Sequence, residues 1–270
     1  MEIAAYLDRI GISGAVQPDL RALRTLHRAH LLAIPYENLD VQLGRPVTTE
    51  IAPIYDKIVG RRRGGWYYEM NGLFGWALAE LGFDVTRGAG GVMREMMGDF
   101  SVGNHLVLHV RLPDGDHLAD VGFGDGPIDP FRVQGGEFTD GRFQFALSQP
   151  DANWWRLHNH AAGGAKSFDF RLLPADESLL AEKCAFLQTS EASPFVQNLV
   201  CQRHTQDGIT MLRGRVLRKV TSQATQERTL QDADDLRQTL ANEFDLDVPE
   251  AAALWPKIVA RHDAVFGTAR

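Results

Sequence analysis

The chain has 270 residues, 44% of them hydrophobic and 23% charged, and 28 Lys+Arg against 35 Asp+Glu give a formal charge of −7. That length buries a sizeable core in one or two conventional domains or three small ones, and the composition excludes a disordered, collagenous or disulfide-built chain. The acidic balance argues against a general nucleic-acid binder while leaving room for a local basic pocket, and Cys184 and Cys201 are the only thiols.

The first fourteen residues place Glu2, Asp8 and Arg9 among apolar side chains and lack the basic-then-apolar order of a secretory signal. No run approaches the roughly 18 consecutive apolar residues of a membrane-spanning helix. A cytoplasmic protein with no membrane partner is therefore expected.

Residues 1 to about 85 read as helical. Leu20, Leu23, Leu26, His27, His30, Leu31 and Ile34 recur at helical spacing until Pro35 ends the run. After Gly64-Gly65 a second stripe of Leu73, Phe74, Ala77, Leu78 and Leu81 predicts a helix whose first turn lies at 67–69 and which Gly82 closes. From about 85 to 220 the pattern changes to short β-like runs at 105–111, 117–121, 142–147, 154–158, 168–173 and 209–213, which predict a mostly antiparallel sheet or small barrel. Helix returns in the tail, where Asp232, Asp234 and Asp235 mark an N-terminus and Leu236, Leu240 and Phe244 supply the stripe.

Three segments can carry chemistry. In Gly64-Gly65-Trp66-Tyr67-Tyr68, two glycines feed a helix start, where free N–H groups and the positive helix end favour a developing anion. The plainer reading is a tight basic connection with core aromatics. In the second, His105 or His109 on one strand and Asp120 near the next offer a base and its orienter. A turn centred on Asp114-Gly115 makes pairing partners sum to 229, so Asp120 faces His109 and lies about 13 Å along the strand from His105. Spacing alone thus favours His109. The third, Gly122-Phe123-Gly124-Asp125-Gly126-Pro127, permits close backbone approach to a ligand or a strained turn, but lacks the spacing of a phosphate-binding loop.

No metal centre is expected: His105 and His109 lie about 13 Å apart on a strand, and no Cys-x-x-Cys occurs. Trp154 and Trp155 read as barrel residues, with His158 and His160 at the surface. Cys184 and Cys201 read as small buried hydrophobes.

Taken together, Ile34-Pro35-Tyr36-Glu37-Asn38-Leu39-Asp40, Leu43-Gly44-Arg45-Pro46, Arg63-Gly64-Gly65 through Glu69-Met70-Asn71 to Leu73-Phe74, His105, and Asp120-Val121-Gly122-Phe123-Gly124 occur in an order and spacing that resembles the arylamine N-acetyltransferases. The resemblance is strong from residue 6 to about 130 and loose beyond. It implies an α+β fold: a helical domain (1–85), a central antiparallel β-barrel (86–190) and a C-terminal α/β lid (191–270). It also implies acyl transfer from acetyl-CoA or another acyl-CoA to an aromatic amine, hydrazine or hydroxylamine.

Residue by residue, the resemblance puts the family histidine on His105 rather than His109, and the family aspartate on Asp120. Tyr36, Trp66, Tyr68, Phe123, Gly124 and Gly126 fall in the substrate and cofactor region, while Glu69, Asn71 and Arg63 support the turn. The family's nucleophilic cysteine falls on position 67, which is Tyr67 here. A phenol ionises near pH 10 against about 8.5 for a thiol, so covalent transfer through position 67 at the family's efficiency is not expected. Two expectations follow. One is an altered acyl transfer or an amide or ester hydrolysis, with His105 and Asp120 as base and orienter and Tyr67 as hydrogen-bond donor or acyl acceptor. The other is a silent member that binds an aromatic ligand or CoA around a Tyr67 plug.

Overall fold

The computed structural model describes residues 1–140, 143–221 and 223–267. The N-terminal part contains α1 (Ile3–Arg9), α2 (Leu20–Ala33), the short strand β1 (Tyr36–Glu37), α3 (Leu39–Gln42), α4 (Ile51–Tyr55) and α5 (Tyr67–Glu80). Asp19 caps α2 by accepting from the Ala22 N–H at 2.8 Å, a contact worth about 1 kcal/mol. The inward face of α2 then buries Leu23, Leu26, His27, His30 and Leu31. Helix α5 is buried along most of its length, and Gly82 closes it with φ +86°. Its Gly75 lets Leu108 approach so closely that a Cβ there would sit 2.9 Å from the leucine side chain. Helices α1, α2 and α5 thus share one core with Leu108, Val110 and Val121.

The central part holds β2 (Asp84–Val92), the one-turn α6 (Arg94–Met97), β3 (His105–Leu112), β4 (Gly115–Leu118), β5 (Phe131–Arg132), β6 (Gly136–Thr139), β7 (Gln144–Asp151), β8 (Trp154–His158) and β9 (Ser167–Phe170). They form an eight-stranded sheet in the order β5-β4-β3-β2-β9-β8-β7-β6, antiparallel at every junction. The sheet curls into a half-barrel. Its edge strands meet through the stacked rings of Phe131 and Phe138, 5.1 Å apart. Phe145, Leu157, Phe168 and Phe170 fill the interior.

The chain continues through α7 (Glu177–Thr189) and α8 (Pro194–Gln197). A five-stranded antiparallel sheet follows, made of β10 (Val200–His204), β11 (Gly208–Arg213), β12 (Val216–Thr221) and β13 (Thr225–Thr229), with β1 added at its edge. Helices α9 (Ala233–Phe244) and α10 (Trp255–Phe266) close the chain, and Leu236, Leu240 and Phe244 of α9 pack on Leu199, Leu212 and Leu217. The pairing of β1 with β10 ties the segment after α2 to the C-terminal sheet, with Tyr36 opposite Gln202.

The expected helices stand close to their predicted limits. Position 142, the start of one expected strand, lies outside the described residues, and that strand begins at Gln144. Strand β2 carries no β-like sequence signal because Gly88, Gly90 and Gly91 dilute it. Packing explains the first two: a Cβ at Gly88 or Gly90 would meet the Val107 side chain at 3.0 or 3.1 Å. His158 and His160 depart from the expected surface placement. His158 is half-buried against Ser148 at 2.7 Å, and His160 is buried on the Asp125 carbonyl at 3.1 Å.

Candidate active site

The glycine turn before α5 is forced by crowding. A Cβ on Gly64 would lie 2.1 Å from the Pro35 carbonyl oxygen, and one on Gly65 would lie 2.8 Å from the Glu69 Cβ. Beneath the turn lies a buried charge cluster. Lys57 donates to both Glu69 oxygens at 2.9 Å and lies 2.8 Å from Asp40, while Arg63 donates to Glu37 at 2.7 and 3.1 Å. Burial alone would lower the Lys57 pKa, but the three surrounding carboxylates raise it above the ordinary lysine value. Glu69 also accepts from the Trp66 N–H at 3.2 Å, which satisfies one unpaired donor at the α5 N-terminus. Glu69 and Arg63 therefore make their contacts within the buried cluster and with the turn backbone.

Asn71 joins three segments. Its Nδ2 donates to the Leu106 carbonyl at 2.6 Å and to Asp120 Oδ1 at 2.7 Å, and its Oδ1 accepts from the Val121 N–H at 2.9 Å. Asp120 Oδ1 also accepts from the Gly122 N–H at 2.8 Å, while Oδ2 meets His105 Nε2 at 2.6 Å. Burial alone would raise the Asp120 pKa, but His105, Asn71 and the Gly122 amide together hold it below the usual carboxylate value. An ionised carboxylate can only accept, so Nε2 carries the hydrogen, and in the neutral ring Nδ1 is then the nitrogen with the lone pair. Nδ1 is buried and has no hydrogen-bond partner among the described residues.

Pairing with Asp120 corrects the spacing argument. Strands β3 and β4 turn on Pro113-Asp114, with Leu112 opposite Gly115 and His109 opposite Leu118, so partners sum to 227 rather than 229. On that register Asp120 would fall opposite Val107, on the face that His105 shares and only two residues from it. Ala119 N–H still donates to the Leu108 carbonyl at 2.9 Å; beyond it the chain leaves the ladder, and the imidazole spans the remaining distance. His109 instead bonds Asp116 at 2.7 Å.

Tyr67 opens α5 and is 4% exposed. Its ring lies among Trp66 (5.1 Å between centroids), Tyr68 (4.6 Å), Tyr36 (6.5 Å) and Phe195 (5.4 Å), and meets His105 edge-on at 5.5 Å. The hydroxyl is buried, and no hydrogen bond joins it to His105 or to any other described residue. Burial pushes the phenol well above its ordinary pKa. Trp66 and Tyr68 are fully enclosed, and the Tyr68 hydroxyl donates to the Gly103 carbonyl at 2.6 Å.

On the opposite side, Phe123 and Phe168 pack against His105 at 5.7 and 5.0 Å. The glycines of the adjoining segment serve internal packing. A Cβ on Gly122 would lie 2.6 Å from Asn71 Nδ2 and 2.8 Å from the Tyr67 Cα, and one on Gly124, where φ is +84°, would strike the Gln202 amide. Gly126 is tight only against the Phe123 ring, at 3.3 Å. The structure therefore gathers Tyr67, His105, Asp120, Asn71, Phe123 and Gly122 into one constellation, and sets Arg63, Gly124 and Gly126 in its supports.

Sequence reasoning missed Phe195 and Phe168, which arrive from distant segments without a local motif. It also missed a buried latch beside the glycines: the Asp125 carboxylate accepts from Gly164 N–H at 2.5 Å and from Asn159 Nδ2 at 3.1 Å. Both cysteines are buried and free; burial pushes the Cys184 thiol up to about 12 and raises Cys201 as well. Among the described residues no His, Cys, Asp and Glu side chains gather in threes suited to a metal ion, and no helix is long and apolar enough to cross a membrane.

A helical layer, a curled antiparallel sheet and a buried histidine–carboxylate pair beside a glycine-led helix start define an acyl-transferase scaffold, and comparison with known proteins agrees. The N-acetyltransferase family profile matches residues 19–253. An arylamine N-acetyltransferase of Mycolicibacterium smegmatis is 34% identical over 259 residues, covering 93% of this chain and 94% of that protein. Among solved structures, the Mycobacterium marinum arylamine N-acetyltransferase in complex with CoA superposes with a TM-score of 0.85 at 33% identity, over 98% of this chain and 99% of that one. The Salmonella typhimurium arylamine N-acetyltransferase gives a TM-score of 0.85 at 28% identity, over 96% and 98%. The chain belongs to the arylamine N-acetyltransferase family.

Proposed function

We propose that this chain transfers an acyl group from an acyl-CoA directly to an aromatic amine, with His105 as general base, Asp120 as its orienter and Tyr67 as a neutral hydrogen-bond donor. The observation that carries this reading is the 2.6 Å His105–Asp120 contact, which leaves Nδ1 with a free lone pair. In the step, the amine nitrogen forms a bond to the thioester carbonyl carbon and Nδ1 takes the amine proton. The carbon–sulfur bond then breaks, and the imidazolium returns the proton to the leaving thiolate. The Tyr67 hydroxyl has the chemistry to donate to the carbonyl oxygen as charge develops there. Its burial raises the phenol pKa, which disfavours the phenolate needed to accept the acyl group itself. His105 is fully enclosed, so this reading requires the half-buried rings of Phe123 and Phe195 to move aside for substrate, with Tyr36 as a third aromatic face. The fold of the CoA-bound relative supports an acyl-CoA as donor; water in place of the amine gives a hydrolase on the same residues.

A second reading rests on the packing of Tyr67. A ring enclosed by four aromatic neighbours fills the space before His105 and suits a member that binds CoA or an aromatic ligand without transfer. Acetyl-CoA is incubated with an aromatic amine and free thiol is followed, beside His105→Ala, Asp120→Asn and Tyr67→Cys variants. Turnover by the native chain that His105→Ala abolishes supports transfer. An inert native chain whose Tyr67→Cys variant is active sinks it, and calorimetric binding of CoA without product then supports the second reading.

A further inference from the structure

Helix α2 turns its apolar face inward, while Arg21, Arg24 and Arg28 follow each other at i, i+3 and i+7 along its outer face. Beside them runs a surface groove of about 710 Å³, lined by Ile12, Leu20, Ala29 and Leu32 as well as the three arginines and Asp129. Its apolar lining is the half-buried margin of the core that α1, α2 and α5 share. The volume lies in the range of small-ligand sites, about 300–1,000 Å³.

We propose that this groove binds a small amphiphile with one anionic head, a phosphate or a carboxylate, and an apolar tail. Charge complementarity carries the assignment. Asp129 is already committed to Arg28, which donates to it from Nε at 3.1 Å and from Nη2 at 2.6 Å. Arg21 and Arg24 make no ion pair or side-chain hydrogen bond among the described residues, although the chain carries seven more acidic than basic residues. Two uncommitted guanidiniums in the lining of the groove offer the planar, multi-donor recognition that oxyanions need, and Ile12, Leu20, Ala29 and Leu32 offer apolar surface for the tail. A head without a tail leaves the trough wet, and a tail without a charge leaves the guanidiniums unused. The groove lies on the opposite face of α2 from His27, which faces inward and bonds the Ile128 carbonyl at 2.8 Å, so the proposal is independent of the chemistry at His105.

The test is isothermal titration calorimetry on the full chain with octyl phosphate, octanoate, inorganic phosphate and octyl glucoside, each below any micelle concentration. At least one of the two anionic amphiphiles is expected to bind about tenfold or more tighter than inorganic phosphate and than octyl glucoside, weakening as salt is raised. The ratio of octyl phosphate to octanoate identifies the head. The Arg21→Glu/Arg24→Glu double variant should lose about tenfold or more, while Arg218→Glu, on the distant β12, should bind as the native chain does. Both altered arginines of the pair are exposed, so an unchanged melting temperature checks that the fold survives. Equal affinity for charged and uncharged octyl compounds, inorganic phosphate binding as tightly as octyl phosphate, or a double variant that binds normally would each overturn the proposal.

Discussion

Tyr67→Phe isolates the unusual feature of the site, a buried hydroxyl without a partner. The substitution keeps the ring and its contacts with Trp66, Tyr68, Phe195 and His105, and removes only the oxygen. An unsatisfied buried hydroxyl costs about 1–3 kcal/mol of desolvation. The oxygen-sized void left behind costs only a few tenths of a kcal/mol at about 24 cal/mol per Å³. Tyr67→Phe should therefore stabilise the chain by about 1–2 kcal/mol, raising the melting temperature by about 2–4 °C for each kcal/mol in a chain of this size. Scanning calorimetry reads the shift directly, and an increased urea midpoint at unchanged slope confirms it. A fall of 2 °C or more would show that the hydroxyl is hydrogen-bonded in solution and would refute the reasoning. If the native chain turns over substrate, the same variant should be both more stable and slower, because the oxygen is kept for its work on the ligand at a cost in stability.

Lys57→Met leaves Glu69 without its cation and leaves Glu37 and Asp40 to Arg63 and the more exposed Arg45, and breaking a buried ion network in this way should cost about 3–5 kcal/mol. The loss should be larger at pH 8 than at pH 5, where the stranded carboxyls take up protons; urea midpoints at both values check it, and a loss below about 1 kcal/mol or one indifferent to pH contradicts the network. Cys184 and Cys201, buried with raised pKa values, should resist a thiol-reactive disulfide reagent at pH 8 in the folded chain and react fully in denaturant; rapid reaction of the native protein would count against this. Burial lowers the pKa values of His27 and His30 below that of an unfolded histidine, about 6.5. Above that pH both states hold the rings neutral, whereas below it the unfolded chain binds more protons. Stability should therefore fall as pH drops from about 6.5 to 5, by up to about 1.4 kcal/mol per pH unit for each ring. Replacing Tyr6 by Phe together with His30 by Leu should flatten that slope by one histidine's share in pH-dependent urea titrations.

The helices were legible because capping and periodicity are local: Gly82, Asp232 and the apolar stripe of α9 act within a turn or two of where they stand. The family motifs likewise lie in short runs. What escaped is what depends on register and on remote chain. A one-residue shift of the β3–β4 turn moved the position opposite Asp120 from His109 to Val107, within reach of His105, since spacing alone cannot say which two residues a tight turn will use. Strand β2 was hidden by glycines whose purpose is visible only once Val107 lies against them. Phe195 reaches Tyr67 from 128 positions downstream, and Asp125 meets Gly164 through a loop whose sequence of small residues carries no signal of a buried carboxylate.

Gly122 shows how the backbone around position 67 is held. The Gly122 backbone sits against the Tyr67 Cα and the Asn71 amide, and Asn71 in turn holds the Leu106 carbonyl, Asp120 and the Val121 N–H. The start of α5, the head of β3 and the segment after β4 are thus locked by contacts that involve backbone and Asn71 and make no use of the side chain at 67. Below, Glu69 fixes the same helix end through Trp66 N–H and Lys57. None of the hydrogen bonds that hold the histidine–aspartate pair at 2.6 Å involves the side chain at 67, so Tyr67→Cys is expected to leave that pair in place. With Tyr67 there, a buried phenol whose pKa burial raises lies edge-on to the histidine of the pair, and turnover by the native chain compared with Tyr67→Cys tests what that exchange does to reactivity.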